Sequence, residues 1–160
     1  MGRIGAARGP LGGVMGAVTA EIQINATPQQ VWDVALDPRR LGDWVTIHRK
    51  LNDCDDGPPR LGFEMVQTME LRGAPLKVSW ELVTCDEPDM AEWAGRGPAG
   101  SRAETSYRLE ANKGGTLFHY SNEFFPPMGI IGRVAQRAIA GDLPESEALA
   151  SLKQLQKLFC

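Results

Sequence analysis

The stretch ATPQQVWDVALDPRRLGDW, residues 26–44, decides how the chain is read. Thr27 is placed to cap a helix, Pro28 suits the first helical position, and Gln30 completes a capping box with Thr27. Val31, Trp32, Ala35 and Leu36 then recur at helical spacing and give one apolar face. Asp37-Pro38 stops that helix, because a residue before proline avoids the α region. Asp37 is in turn placed to cap a second short helix, Pro38 to Asp43, ending near Trp44. Two short helices in sequence, each with its own cap, are not a catalytic motif.

What lies on either side is strand. Upstream, Val18, Ala20, Ile22 and Ile24 alternate with Thr19, Glu21 and Gln23, as a half-buried strand does. Downstream, strands are predicted over Val45–Leu51, Phe63–Leu71, Leu76–Thr84, Met90–Ala94, Ala103–Glu110 and Thr116–Phe124. DDGPPRLG, RGAP, CDEPD, GRGPAGS and ANKGG separate them. These are turn compositions: glycine admits positive φ, proline fixes φ, and Asp and Asn bond their own backbone. Short connections make neighbouring strands antiparallel. Met65, Gln67, Met69 and Leu71 share a face with Phe63, and Leu76, Val78, Trp80 and Leu82 share another. One face is apolar and one polar, as in a single antiparallel sheet covered on one side.

After Pro126-Pro127 the period returns to helical. Ile131, Val134, Ala135, Ala138 and Ile139 make one stripe, and Leu149, Leu152, Leu155 and Phe159 continue an apolar face. Gly141-Asp142-Leu143-Pro144 interrupts it and predicts two helical segments, either roughly sharing an axis or separated by a full break in direction. Glu145 and Glu147 suit the first turn of the second segment.

Composition sets outer limits. At 160 residues, 42% hydrophobic and 23% charged, the chain has the makeup of one globular domain. A net charge of −3 argues against a nucleic-acid binder, which would carry a basic stripe. Cys54, Cys85 and Cys160 are odd in number and widely spaced, and read as reduced thiols of a cytoplasmic protein. With only His48 and His119 beside them, no metal site is expected. Nor does any nucleotide, iron–sulfur or other cofactor signature occur. There is no apolar run long enough to span a membrane. Residues 1–16, rich in glycine, read as a disordered leader before a single domain over 17–160, and Met15 competes with Met1 as the start.

The element order, with Ile22 to Trp32, Asp37-Pro38, Trp44, Val78-Ser79-Trp80-Glu81 and Gly114-Gly115-Thr116, resembles the START-like, polyketide cyclase/dehydrase and lipid-transport superfamily (SRPBCC). The resemblance covers Val18 to the C-terminus, with the Gly141–Pro144 interruption as a departure from it. It implies an α+β helix-grip fold, in which a curved seven-stranded antiparallel sheet wraps a long C-terminal helix and the two short helices close one end. Trp32 is then core, and Trp44 sits near the rim with one wet edge. The implied partner is a hydrophobic small molecule, lipid-like, aromatic or polyketide, held between sheet and helix by a monomer or homodimer. The fold also hosts cyclases and dehydratases of poly-β-ketones, and some members that dock other proteins, so activity does not follow from it.

Within that frame, Met65, Met69 and Trp80 are either plain core or pocket wall. Polar residues on inward faces are more informative, because a buried polar group costs free energy without a partner. Gln67 lies between Met65 and Met69, Tyr107 shares a face with Thr105 and Leu109, and Tyr120 and Asn122 lie between Phe118 and Phe124. With Trp44, these are the candidate ligand contacts; in a cyclase, Tyr107, Tyr120 and Asn122 would assist proton transfer. His119 and Glu123 alternate with inward residues and face solvent. Arg39 and Arg40 read as a solvated turn, and Arg133 and Arg137 as a wet helix face.

Overall fold

The computed structural model describes residues 17–71, 73–126 and 143–160. The leader, the 131–139 stripe, Arg133, Arg137 and the Gly141-Asp142 step lie outside the described residues. Strand β1, Ala17–Ile24, leads into α1, Pro28–Ala35, then a 3₁₀ turn, Pro38–Arg40, and the single-turn helix α2, Leu41–Trp44. Six strands follow: β2 His48–Cys54, β3 Glu64–Leu71, β4 Ala74–Asp86, β5 Met90–Arg96, β6 Arg102–Asn112 and β7 Gly115–Phe125. Helix α3, Leu143–Lys157, follows near the C-terminus. All pairings are antiparallel, in the order β1-β7-β6-β5-β4-β3-β2.

The helix starts form as their residues dictate. Thr27 Oγ1 accepts from Gln30 N at 3.2 Å while Gln30 Oε1 accepts from Thr27 N at 2.9 Å, a complete capping box. Asp37 Oδ1 caps the 3₁₀ turn by accepting from Arg39 N at 3.0 Å. Val31, Trp32, Ala35 and Leu36 are buried, so α1 presents the predicted face to the core. Gly115 explains the Gly-Gly-Thr turn before β7. Its φ is +122°, and a side chain there would strike the Ile24 carbonyl and the Ala26 backbone. Thr116 Oγ1 meanwhile donates to Ala26 O at 2.7 Å and ties this turn to the end of β1.

Two details differ from the sequence reading, and a third agrees with it. β2 begins at His48 rather than Val45, because Val45 N bonds Leu41 O at 2.9 Å to finish α2 and residues 46–47 turn. The buried face of α3 runs through Ala148, Ser151, Leu152 and Leu155, while Leu149 is exposed. An i, i+3, i+4, i+7 set that includes a small and a polar residue met the sheet in place of an all-leucine one. Pro144 stands in the first turn of α3, where its missing N–H breaks no helical bond.

Candidate ligand cavity

Helix α3 packs against β1 and α2, and a cavity of about 160 Å³ lies between these elements and the concave face of the sheet. All eight sequence candidates line it. Strand alternation puts them there: Met65, Gln67 and Met69 come from β3, Trp80 from β4, Tyr107 from β6, and Tyr120 and Asn122 from β7. Trp44 arrives from the end of α2.

On the β3–β4 side, Trp80 Nε1 donates to Gln67 Oε1 at 2.9 Å. An indole nitrogen can only donate, so the amide oxygen of Gln67 must face it and the amide nitrogen must face away. That nitrogen lies 2.9 Å from His48 Nδ1, which therefore accepts. The polar chain Trp80–Gln67–His48 satisfies a glutamine that is only 3% exposed. Burial, and secondarily the Arg49 cation, lowers the His48 pKa, which keeps the ring neutral and able to accept.

Three strands away, Tyr107 and Tyr120 face each other across the β6–β7 ladder with rings stacked at 6.1 Å. In the next inward pair, Thr105 Oγ1 donates to Asn122 Oδ1 at 3.0 Å. Burial pushes the Tyr120 hydroxyl up to about 12, partly opposed by a hydrogen bond with Asn122, and drives Tyr107 higher still. Both are neutral phenols at physiological pH. Tyr107 is only 5% exposed and lines the cavity, and no hydrogen bond joins its hydroxyl to another described residue.

Trp44 departs from its expected place at the rim. It is 2% exposed, its ring set edge-on to Tyr107 at 6.0 Å and to Phe118 at 6.3 Å. Its Nε1 is buried without a partner. Helix α2 ends at this residue, so the chain turns the ring inward onto the β6–β7 aromatics instead of leaving an edge in water.

The turn after α2 is fastened to α3. Thr46 N donates to Ser151 Oγ at 3.0 Å, and Thr46 Oγ1 donates to the Glu147 carboxylate. Glu147 and Arg102 are the only charged residues among the described lining, and Arg102 is exposed, its guanidinium 4.7 Å from the Phe125 ring centre. His119 points outward as expected and sits between Glu21, at 3.0 Å, and Glu110, at 3.2 Å. Arg39 does more than flank a turn: Nη2 donates to Asp55 O at 3.0 Å and ties the 3₁₀ turn to the β2–β3 loop.

Sequence reasoning did not single out His48 for the site. Two register shifts in β2 erase its alternation, so only the pairing with β3 brings His48 beside Gln67. Among the described residues no group of three or more His, Cys, Asp or Glu is arranged to hold a metal, and no helix is long and apolar enough to cross a membrane.

An antiparallel sheet gripping a C-terminal helix over an internal cavity defines a helix-grip protein. Residues 15–158 match the family described as polyketide cyclase/dehydrase and lipid transport, and the chain belongs to that family. A relative from Mycobacterium tuberculosis, Uncharacterized protein Rv1546, is 26% identical over 149 residues, 91% of this chain and 99% of that protein. Toxin Rv0910 of the same organism is 22% identical over 134 residues, 82% of this chain and 93% of its own. Among solved structures, TTHA0849 from Thermus thermophilus superposes with a TM-score of 0.68 at 19% identity, covering 89% of this chain and 95% of its own. Major latex-like protein 151 from Panax ginseng gives 0.67 at 12% identity, covering 91% and 97%. These likenesses establish the fold.

Proposed function

We propose that residues 17–160 form one binding domain that carries a hydrophobic small molecule between the sheet and α3. The observation that carries this reading is convergence. Side chains from six strands and from α1, α2 and α3 meet at one cavity whose wall is mostly apolar and aromatic, with a few neutral polar groups among them. That is the usual makeup of a small-molecule site, in which apolar burial supplies affinity and a few polar groups fix orientation.

A cyclase or dehydratase using the same cavity is the competing reading, and the stacked Tyr107–Tyr120 pair is what favours it. A general acid or base works best with a pKa near the operating pH, and burial moves both hydroxyls the wrong way. Carriage is therefore the better-supported function. Mass spectrometry under non-denaturing conditions, on protein purified without detergent, tests it. A co-purifying small molecule near 1:1 supports carriage, and its mass names the chemical class. Protein without any added mass, and without saturable binding to a broad panel of lipids and polyphenols, would overturn it.

A further inference from the structure

Resting on the carrier reading, we propose that the cavity takes an uncharged molecule about one ring in size that presents an accepting oxygen to Tyr107.

Three observations converge on this. The first is volume. At about 160 Å³ the cavity is close to the roughly 150 Å³ engineered cavity that holds a benzene, and well below the ~300 Å³ at which pockets for drug-sized ligands begin. A long acyl chain exceeds that volume.

The second is the state of the polar groups. Gln67 is committed to Trp80 and His48, and Asn122 to Thr105. Tyr107 is not committed to any described residue. Its hydroxyl stays protonated at neutral pH, so the cavity offers a donor, and a ligand meets it with an acceptor: a ketone, aldehyde or ether oxygen.

The third is charge. The two charged residues of the described lining are Glu147, held by Thr46, and the exposed Arg102 over Phe125. Tyr107 is packed among the rings of Trp44, Phe118 and Tyr120. A carboxylate drawn in to Tyr107 would lose its hydration against aromatic rings and meet no countercharge among the described residues beside it, which is strongly unfavourable.

Calorimetric titration of the full chain with four defined probes, backed by ligand-detected NMR for weak binding, tests the proposal. Acetophenone has the ring and the oxygen, ethylbenzene the ring without it, benzoate adds a charge, and palmitate is a long-chain acid. Acetophenone is expected to bind about three- to tenfold tighter than ethylbenzene, the range of one net hydrogen bond. Tyr107→Phe should abolish that advantage while leaving ethylbenzene unchanged. Benzoate and palmitate should bind at least about tenfold more weakly than acetophenone.

Palmitate binding as tightly as acetophenone would overturn the size argument, and equal affinity for acetophenone and ethylbenzene would overturn the role of Tyr107. Either result leaves the carrier reading intact. If all four probes fail while the purified protein carries another small molecule, this inference is lost and carriage stands. If nothing binds and nothing co-purifies, both are lost. Should Tyr107→Phe fail to fold, judged by near-ultraviolet circular dichroism, the four-probe series on the unaltered protein decides alone.

Discussion

Trp80 donates its indole N–H to the side-chain oxygen of Gln67, two strand positions from its own partner Met65. This bond fixes the glutamine amide, and through it the state of His48. Gln67→Leu leaves the indole donor buried and unpaired, and is expected to cost about 1–3 kcal/mol. Adding Trp80→Phe should bring less than the sum of the two single losses, because the orphaned donor is then gone. Urea denaturation of the two single variants and the double variant measures the coupling.

His48 makes stability depend on pH in a definite direction. Its pKa is lowered in the folded protein, so between the folded value and the ordinary 6.5 the unfolded chain binds the extra proton. Stability is therefore complete above about pH 7 and falls as pH drops through the mid-sixes. Protonation also points an N–H of the ring at the Gln67 amide nitrogen, where nothing accepts it. Melting curves from pH 8 to 5.5 should show this decline, and His48→Gln should flatten it. An equal decline in the variant would assign the effect to carboxylates instead.

Gly95 is fixed by Trp80. A methyl group at position 95 would lie 2.7 Å from Trp80 Cε3 and 2.9 Å from Val78 Cγ1, both too close. Gly95→Ala must push the indole off its bond with Gln67, at an expected cost of about 1–3 kcal/mol. A changed tryptophan emission maximum would accompany the loss. Gly73→Ala, which has open space around the new methyl but a φ of +80°, separates backbone strain from crowding.

Leu152 is the point where α3 closes the cavity, fully buried and part of its wall. Leu152→Ala should destabilise by about 2–5 kcal/mol and enlarge the space. A two-ring ketone such as 1-tetralone is then expected to bind better than to the unaltered protein, in contrast to acetophenone. Calorimetry on both proteins below their melting transitions makes the comparison.

Much of this was legible in the chain itself. The capping box at Thr27, the Asp37-Pro38 break and strict alternation in β4 report local rules, and local rules act on residues in sequence order. Alternation likewise carried Gln67, Tyr107, Tyr120 and Asn122 to the concave face. Three things were hidden for a common reason: each depends on partners distant in sequence. The burial of Trp44 comes from Tyr107 and Phe118, the neutral role of His48 from β2–β3 pairing across two bulges, and the Thr46 fastening from residues more than 100 positions away. Leu149 was misplaced because a leucine contributes to an apolar face by type, whereas Ser151 reaches the interior by bonding Thr46.

The pairing of β1 with β7 has a consequence for how the chain is made. Val18 lies opposite Asn122, and Ile24 opposite Thr116. During synthesis the first strand thus leaves the ribosome long before its sheet neighbour exists, a wait of roughly 5–20 s at ~5–20 residues per second. The hairpins from β2 to β6 can form as they emerge, but the half-apolar β1 must stay unpaired until β7 arrives. Its alternating Thr19, Glu21 and Gln23 keep one side of that waiting strand polar. In a nascent chain halted once β6, but not β7, has left the ribosome, protease should cut within 17–24 while sparing the meander already made.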